Sequence, residues 1–152
     1  MSLLTKAGGC LIGVLLLALS NGVSAGSGEP TELWWDEMRG LNYETGAASE
    51  LLQSLDGSDV MIPGWAVPLD SDMPMTIKEF VLVPGFGMCI HVPPPPPNQM
   101  VYVVLPEAVH FQDLLGPLWI KGKIEIRETE SRYGAASYTM VARDVEPYKQ
   151  SR

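Results

Sequence analysis

The clearest signal along the chain is alternation. From residue 59 onward, apolar side chains recur at every second position in several separate runs, the two-residue repeat of a half-buried strand. Val60, Ile62, Gly64 and Ala66 share one face of the first run, against Met61, Pro63, Trp65 and Val67 on the other. Leu118, Ile120, Gly122, Ile124 and Ile126 form the inner face of a longer run, with Trp119, Lys121, Lys123, Glu125 and Arg127 outward. Tyr138, Met140 and Ala142 repeat the pattern in a last run, with Thr139, Val141 and Arg143 outward. Residues 80–83 (FVLV) and 100–105 (MVYVVL) lack a polar face, as strands covered on both sides do.

Gly64 and Gly122 fall in mid-strand, where glycine weakens a flat ladder but permits the hard bend of a barrel corner. Five strands, two of them able to coil, predict a mainly β protein: a small five-stranded OB-like barrel over residues 59–148. The segment 107–115 is placed to form the short helix that such barrels carry between their third and fourth strands. An immunoglobulin-like sandwich needs about seven strands, and only five or six can be found. Before the barrel, residues 26–58 read as a lead with one or two short helices. The helical candidates are 31–38 (TELWWDEM) and 47–55 (AASELLQSL), separated by a turn at 39–42. Thr31 and Ser49 are candidate N-caps, Leu51, Leu52 and Leu55 make an apolar stripe for the core, and Asp56-Gly57 ends the second helix. Of the four tryptophans, two are expected in the core and the others over the barrel end with the N-terminal helix. No internal repeat is visible.

The first 25 residues read differently. Lys6 precedes an apolar run at 11–19 (LIGVLLLAL), and Val23 and Ala25 are small residues at the two positions a signal peptidase reads. The run is too short to span a bilayer, which takes about 20 residues. An uncleaved anchor is the alternative; a lipoprotein is excluded because Cys10 precedes the apolar run instead of following it. The expectation is a cleavable signal peptide over 1–25 and a periplasmic mature chain with no membrane span. Removing it leaves 127 residues, enough for one domain.

Charge and cysteine content narrow the function. The whole chain carries a formal net charge of −8, and loss of Lys6 makes it more negative. A nucleic-acid backbone is repelled by such a surface, because affinity for phosphates comes from Lys and Arg displacing counterions. With Cys10 gone, Cys89 is the one thiol left. An exported domain usually pairs its cysteines or has none, so a lone one suggests a ligand, a reactive thiol or an intermolecular partner.

Cys89 and His91 stand two apart, so an extended backbone projects both side chains to the same side, with Cα atoms roughly 6.5 Å apart. Thiolate and imidazole are preferred ligands of zinc and also suit copper. The same pair can instead depress the thiol pKa, as a neighbouring imidazolium favours thiolate. Yet lone cysteines are often small buried hydrophobes. The other histidine, His110, with Glu107 and Asp113 near in sequence, is the weaker candidate for a third ligand. Met73, Met75, Met88 and Met100 invite Cu(I), although methionine is also common core filler. Residues 93–97 are five consecutive prolines, expected to form a stiff polyproline II rod that fixes the pair relative to Asn98-Gln99. No G-x-S-x-G, H-E-x-x-H, P-loop or C-x-x-C motif is present, which leans away from an enzyme.

The sequence also resembles a known family. Leu55-Asp56-Gly57, residues 60–64 (VMIPG), 67–69 (VPL), 79–84 (EFVLVP) and above all 89–99 (CIHVPPPPPNQ) are similar to a bacterial exported family of unknown function, domain-of-unknown-function family 3299. Residues 119–122 (WIKG) and 138–147 fall where that family's last strands lie. The likeness covers roughly 33–148; the departure is at 85–88 (GFGM), where a polar residue such as Tyr is expected near the first glycine. The resemblance implies a periplasmic protein, in some members encoded beside ABC-transporter components and in zinc-responsive gene clusters. It implies no reaction. Three readings follow: a transition-metal binder, zinc first and copper as alternative, serving envelope transport components; a non-catalytic protein-binding module of the envelope; and a thiol redox protein.

Overall fold

Burial of alternate side chains closes the strands on themselves. The computed structural model describes residues 28–69, 75–85 and 94–149. Its elements are β1 (Thr31–Glu32), α1 (Trp35–Met38), α2 (Glu50–Leu55), β2 (Asp59–Pro68), β3 (Thr76–Val83), β4 (Val101–His110), β5 (Pro117–Ser131) and β6 (Gly134–Pro147). Two 3-10 turns, Pro97–Gln99 and Phe111–Leu114, precede and follow β4. The strands run in the order β2-β3-β4-β6-β5, and β5 returns to pair with β2, giving a closed five-stranded barrel. Neighbours are antiparallel except β4 and β6, which are parallel. This is the OB-like barrel that the alternation predicts.

The core holds Val60, Ile62, Phe80, Leu82, Val103, Ile120, Tyr138 and Met140, all fully buried. Both mid-strand glycines are corners. A Cβ on Gly122 would sit 2.2 Å from the Val141 carbonyl oxygen, at the point where the β5–β6 register shifts. One on Gly64 would sit 2.7 Å from the Val83 carbonyl oxygen, where β2 leaves β5 for β3. The strand at 80–83 is covered on both faces: Phe80 and Leu82 point inward, while Val81 and Val83 join an outer apolar cluster.

The lead departs from expectation in instructive ways. Residues 31–38 are not one helix. Thr31 and Glu32 pair in parallel with Val60 and Met61, and Leu33 N–H donates to the Met61 carbonyl at 2.9 Å. That extended entry drives Leu33 into the core, so tertiary pairing overrides helix propensity. The helix is a single turn beginning at Trp35, and Trp34, not Thr31, is its N-cap. Trp34 N–H donates to Glu37 Oε2 at 2.8 Å, the half of a capping box that an acidic third residue supplies. Ser49 does cap α2, its hydroxyl accepting from Leu52 N–H, but α2 starts only at Glu50 because Ala48 bridges to Leu41. Within the expected stripe, Leu52 is buried and Leu51 is 42% exposed.

Of the segment 107–115, residues 107–110 are strand and only Phe111–Leu114 are helical, as a short 3-10 turn. Val109 and His110 pair with Ile77 and Thr76, so β4 runs on to His110 and only one 3-10 turn follows. Between Glu79 and Ile77 the partner strand advances from Val104 to Val109, so residues 105–108 bulge out. Pro106, which lacks an N–H, sits where no ladder hydrogen bond is needed. The lead supplies Leu33, Met38, Leu41 and Leu52 to the core, and the 3-10 turn after the third barrel strand adds Leu114.

Candidate functional site

The proline run ends in a structural joint. Pro96 has φ −62° and ψ 155°, as in polyproline II, but Pro97 already opens the 3-10 turn with Asn98 and Gln99. The two buried amides that follow the prolines tie the lead to the barrel. Asn98 Nδ2 donates to the Leu41 carbonyl at 2.9 Å, and Gln99 Nε2 donates to the Trp35 carbonyl at 3.0 Å. The Tyr138 hydroxyl, from β6, donates to the Met38 carbonyl at 2.7 Å. Together these donors satisfy the Leu41 carbonyl and reinforce those of Trp35 and Met38, whose backbone bonds from Arg39 and Leu41 N–H are long at 3.3 Å. Burial pushes the Tyr138 phenol pKa up, so it stays a donor at neutral pH.

The outer barrel face formed by β3 and β4, with the loops after β2 and β5, is the one OB-folds use for oligonucleotides and oligosaccharides. Here the protein's own residues fill it. Val81, Val83, Met100 and Ala136 are buried there, with Trp65, Tyr102 and Tyr133 packed against them. The β5–β6 tip is latched to the end of β2: Tyr133 OH donates to the Pro68 carbonyl at 2.9 Å and Arg132 Nη1 to the Leu69 carbonyl at 3.1 Å. Beside them Tyr102 OH donates to Glu79 Oε2 at 2.7 Å, and that carboxylate, helped by burial, pushes the Tyr102 pKa up to about 12.

An adjoining surface, which shares Trp65 with that face, stays open. Trp34, Pro63, Trp65, Pro84, Pro117 and Tyr148 line a shallow groove where β2, β5 and the lead meet. Each ring is set by backbone structure. Trp34 is held extended by its Glu37 cap and remains 42% exposed. Tyr148 follows β6, fixed by its N–H donating to the Pro117 carbonyl at 2.8 Å. Trp119, outward on β5 opposite Pro63 and Glu146, props both. Its ring lies edge-on to Trp34 at 5.5 Å between centroids and tilted against Tyr148 at 5.3 Å. Beneath the groove Trp35 Nε1–H donates to the Pro63 carbonyl at 2.5 Å, so Trp35 is core and 9% exposed. Lys121 reaches Glu146 Oε1 at 2.7 Å, and that hydrogen bond holds the Glu146 carboxyl below its usual range.

The predicted ligands are not gathered by the described structure. Cys89 and His91, with 86–93, lie outside the described residues, as do Met73 and Met88. His110 is exposed at the end of β4 opposite Thr76, at the far end of the β3–β4 hairpin from Val83 and Val101. Among the described residues no group of three or more His, Cys, Asp or Glu side chains is placed to hold a metal ion. Nor is any helix among them long and apolar enough to cross a membrane. Sequence reasoning passed over the groove because it draws on five separate segments. Its signal was the outward place of Trp65 and Trp119 in the alternation, each near a proline.

The model of the family described as a protein of unknown function (DUF3299) matches residues 35–147. The chain belongs to the DUF3299 family. The crystal structure of a DUF3299 family protein from Pseudomonas aeruginosa PAO1 is similar at 31% sequence identity and a TM-score of 0.66, over 82% of this chain and 100% of that one. Among curated proteins nothing matches. The DUF3299 match begins at Trp35, so it takes in α1, both tie amides and the whole barrel, while Trp34 and Tyr148 flank it.

Proposed function

We propose that this DUF3299 chain is an exported, periplasmic binding module that grips another envelope protein through the Trp34–Tyr148 groove and performs no chemistry of its own. The observation that carries the reading is the pairing of two surfaces. Exposed Trp34 and Pro117 and half-buried Trp65, Pro84 and Tyr148 stand together over buried Pro63, while the face that OB-folds ordinarily offer is filled from within. Aromatic residues clustered over a rigid support are the usual anchors of protein interfaces. The strong net negative charge argues against nucleic acid and for a partner with basic character. Co-purification from the envelope fraction tests it. A defined partner, expected among transport components, should be retained by wild type and by Cys89→Ser and lost from the Trp34→Ala/Tyr148→Ala double variant. Retention by the double variant overturns the reading.

The lone Cys89 beside His91 favours a second reading: transient binding of a transition metal, zinc first and copper as alternative, for a transport or homeostasis system, with His110 as a weak third ligand. Equilibrium zinc titration of wild type and Cys89→Ser decides it. Tight binding that disappears with the thiol supports a metal role, and equal weak binding by both removes it.

A further inference from the structure

The groove's chemistry narrows what can occupy it, on the reading that it is a binding surface. We propose that its occupant is a proline-containing, positively charged segment of a partner protein, bound in the polyproline II conformation. Three of the lining residues, Pro63, Pro84 and Pro117, have no backbone N–H to offer. A β-strand partner needs a row of such donors, so strand addition is disfavoured. The donors present are side chains: neither the Trp34 indole N–H nor the Tyr148 hydroxyl has a hydrogen-bond partner among the described residues. Polyproline II leaves its carbonyls unpaired, which makes them natural acceptors for isolated indole and phenol donors.

Dimensions agree. The centroid steps of 5.5 and 5.3 Å through Trp119 put the Trp34 and Tyr148 rings at most about 11 Å apart. One polyproline II turn advances roughly 9 Å, so successive ridges of such a segment can meet both rings. An oligosaccharide would also stack on the rings, but its hydroxyls need many polar partners, and the side chains of the lining offer only indole and phenol groups. Charge sets the remaining preference. Glu37 caps the backbone of Trp34, and Glu146 and Asp144 share Lys121, with Lys149 also near Glu146, so acidic groups outnumber basic ones there by three to two. The chain as a whole carries −8. Basic side chains between the prolines would therefore be attracted, in a salt-dependent way.

Fluorescence anisotropy with a labelled (Pro-Pro-Arg)4 peptide on the full mature chain tests the proposal. Saturable binding is expected, at least tenfold weaker for (Ala-Ala-Arg)4 and for (Pro-Pro-Glu)4. Trp34→Ala and Tyr148→Ala should each weaken it at least tenfold, with unchanged near-UV circular dichroism as evidence that the barrel is intact. Equal affinity for (Ala-Ala-Arg)4 would mean charge alone, and equal affinity in both variants would place the peptide elsewhere; either overturns the proposal. Binding of a cello- or chito-oligosaccharide at the groove in place of the peptide overturns it too. If no peptide binds while envelope co-purification still depends on Trp34 and Tyr148, the occupant is wrong and the groove reading stands. If co-purification is also indifferent to both residues, the groove reading itself fails.

Discussion

Replacing Tyr138 with Phe isolates the tie between the lead and the barrel. Tyr138 is fully buried, and its hydroxyl reaches the Met38 carbonyl 100 positions away in sequence. The change removes one oxygen and leaves the ring in place, so almost no cavity opens. The Met38 carbonyl then keeps only the longer 3.3 Å hydrogen bond from Leu41 N–H. A net buried hydrogen bond is worth about 0.5–1.5 kcal/mol, and a stranded acceptor costs about 1–3 kcal/mol. With the Leu41 bond retained, the expected loss is about 1–2 kcal/mol. In a domain of this size that lowers Tm by roughly 3–8 °C. Urea unfolding followed by near-UV circular dichroism reads it as a lower midpoint with an unchanged m-value. Because the bond joins α1 to β6, the loss belongs to global unfolding and not to fraying of the lead. A change below about 0.3 kcal/mol would refute the idea that this hydroxyl holds α1, and with it Trp34, against the barrel.

Three further outcomes are expected. Leu52→Ala should cost about 2–5 kcal/mol and Leu51→Ala within about 0.5 kcal/mol, since the first is 2% and the second 42% exposed; equal losses in urea unfolding would mean that α2 docks by another face. In an ultraviolet titration of the phenols, Tyr102 and Tyr138 should ionise last, and Tyr102→Phe should remove one late step. The sign follows from the raised folded value: the Tyr102 contribution is present below the ordinary phenol pKa of about 10 and is lost as pH rises toward 12, so one common step near 10 would contradict the Glu79 contact. Mass measurement of the chain recovered from the periplasm should give a mature form beginning at Gly26; a full-length chain held in the inner membrane would contradict export as a cleaved protein.

Much of the barrel was legible because its information is local. Strict alternation at 118–126 and 138–142 names inner and outer faces without any knowledge of partners, and the two mid-strand glycines mark where the sheet must turn. What was not legible depended on contacts distant in sequence. Residues 31–38 have a helical look, but parallel pairing with Val60 and Met61 is decided by the barrel edge. Residues 107–110 join β4 because Thr76 and Ile77 lie opposite. The proline run has the look of a support for Cys89 and His91; on its described side it leads into Asn98 and Gln99, which serve the carbonyls of Leu41 and Trp35. A side-chain amide reaching a backbone about 60 residues away leaves no trace in spacing. The groove was hidden for the same reason, since Trp34, Trp65, Trp119 and Tyr148 come together only when the barrel closes.

Photocrosslinking in living cells tests the central claim most directly. A photoreactive residue at the exposed Lys149, next to Tyr148, is compared with one at Val141, which is 54% exposed on the outer face of β6. The account predicts one discrete adduct from position 149, none from position 141, and loss of the adduct when Trp34→Ala is added. An adduct formed only from 141, or one from 149 that survives Trp34→Ala, would contradict it.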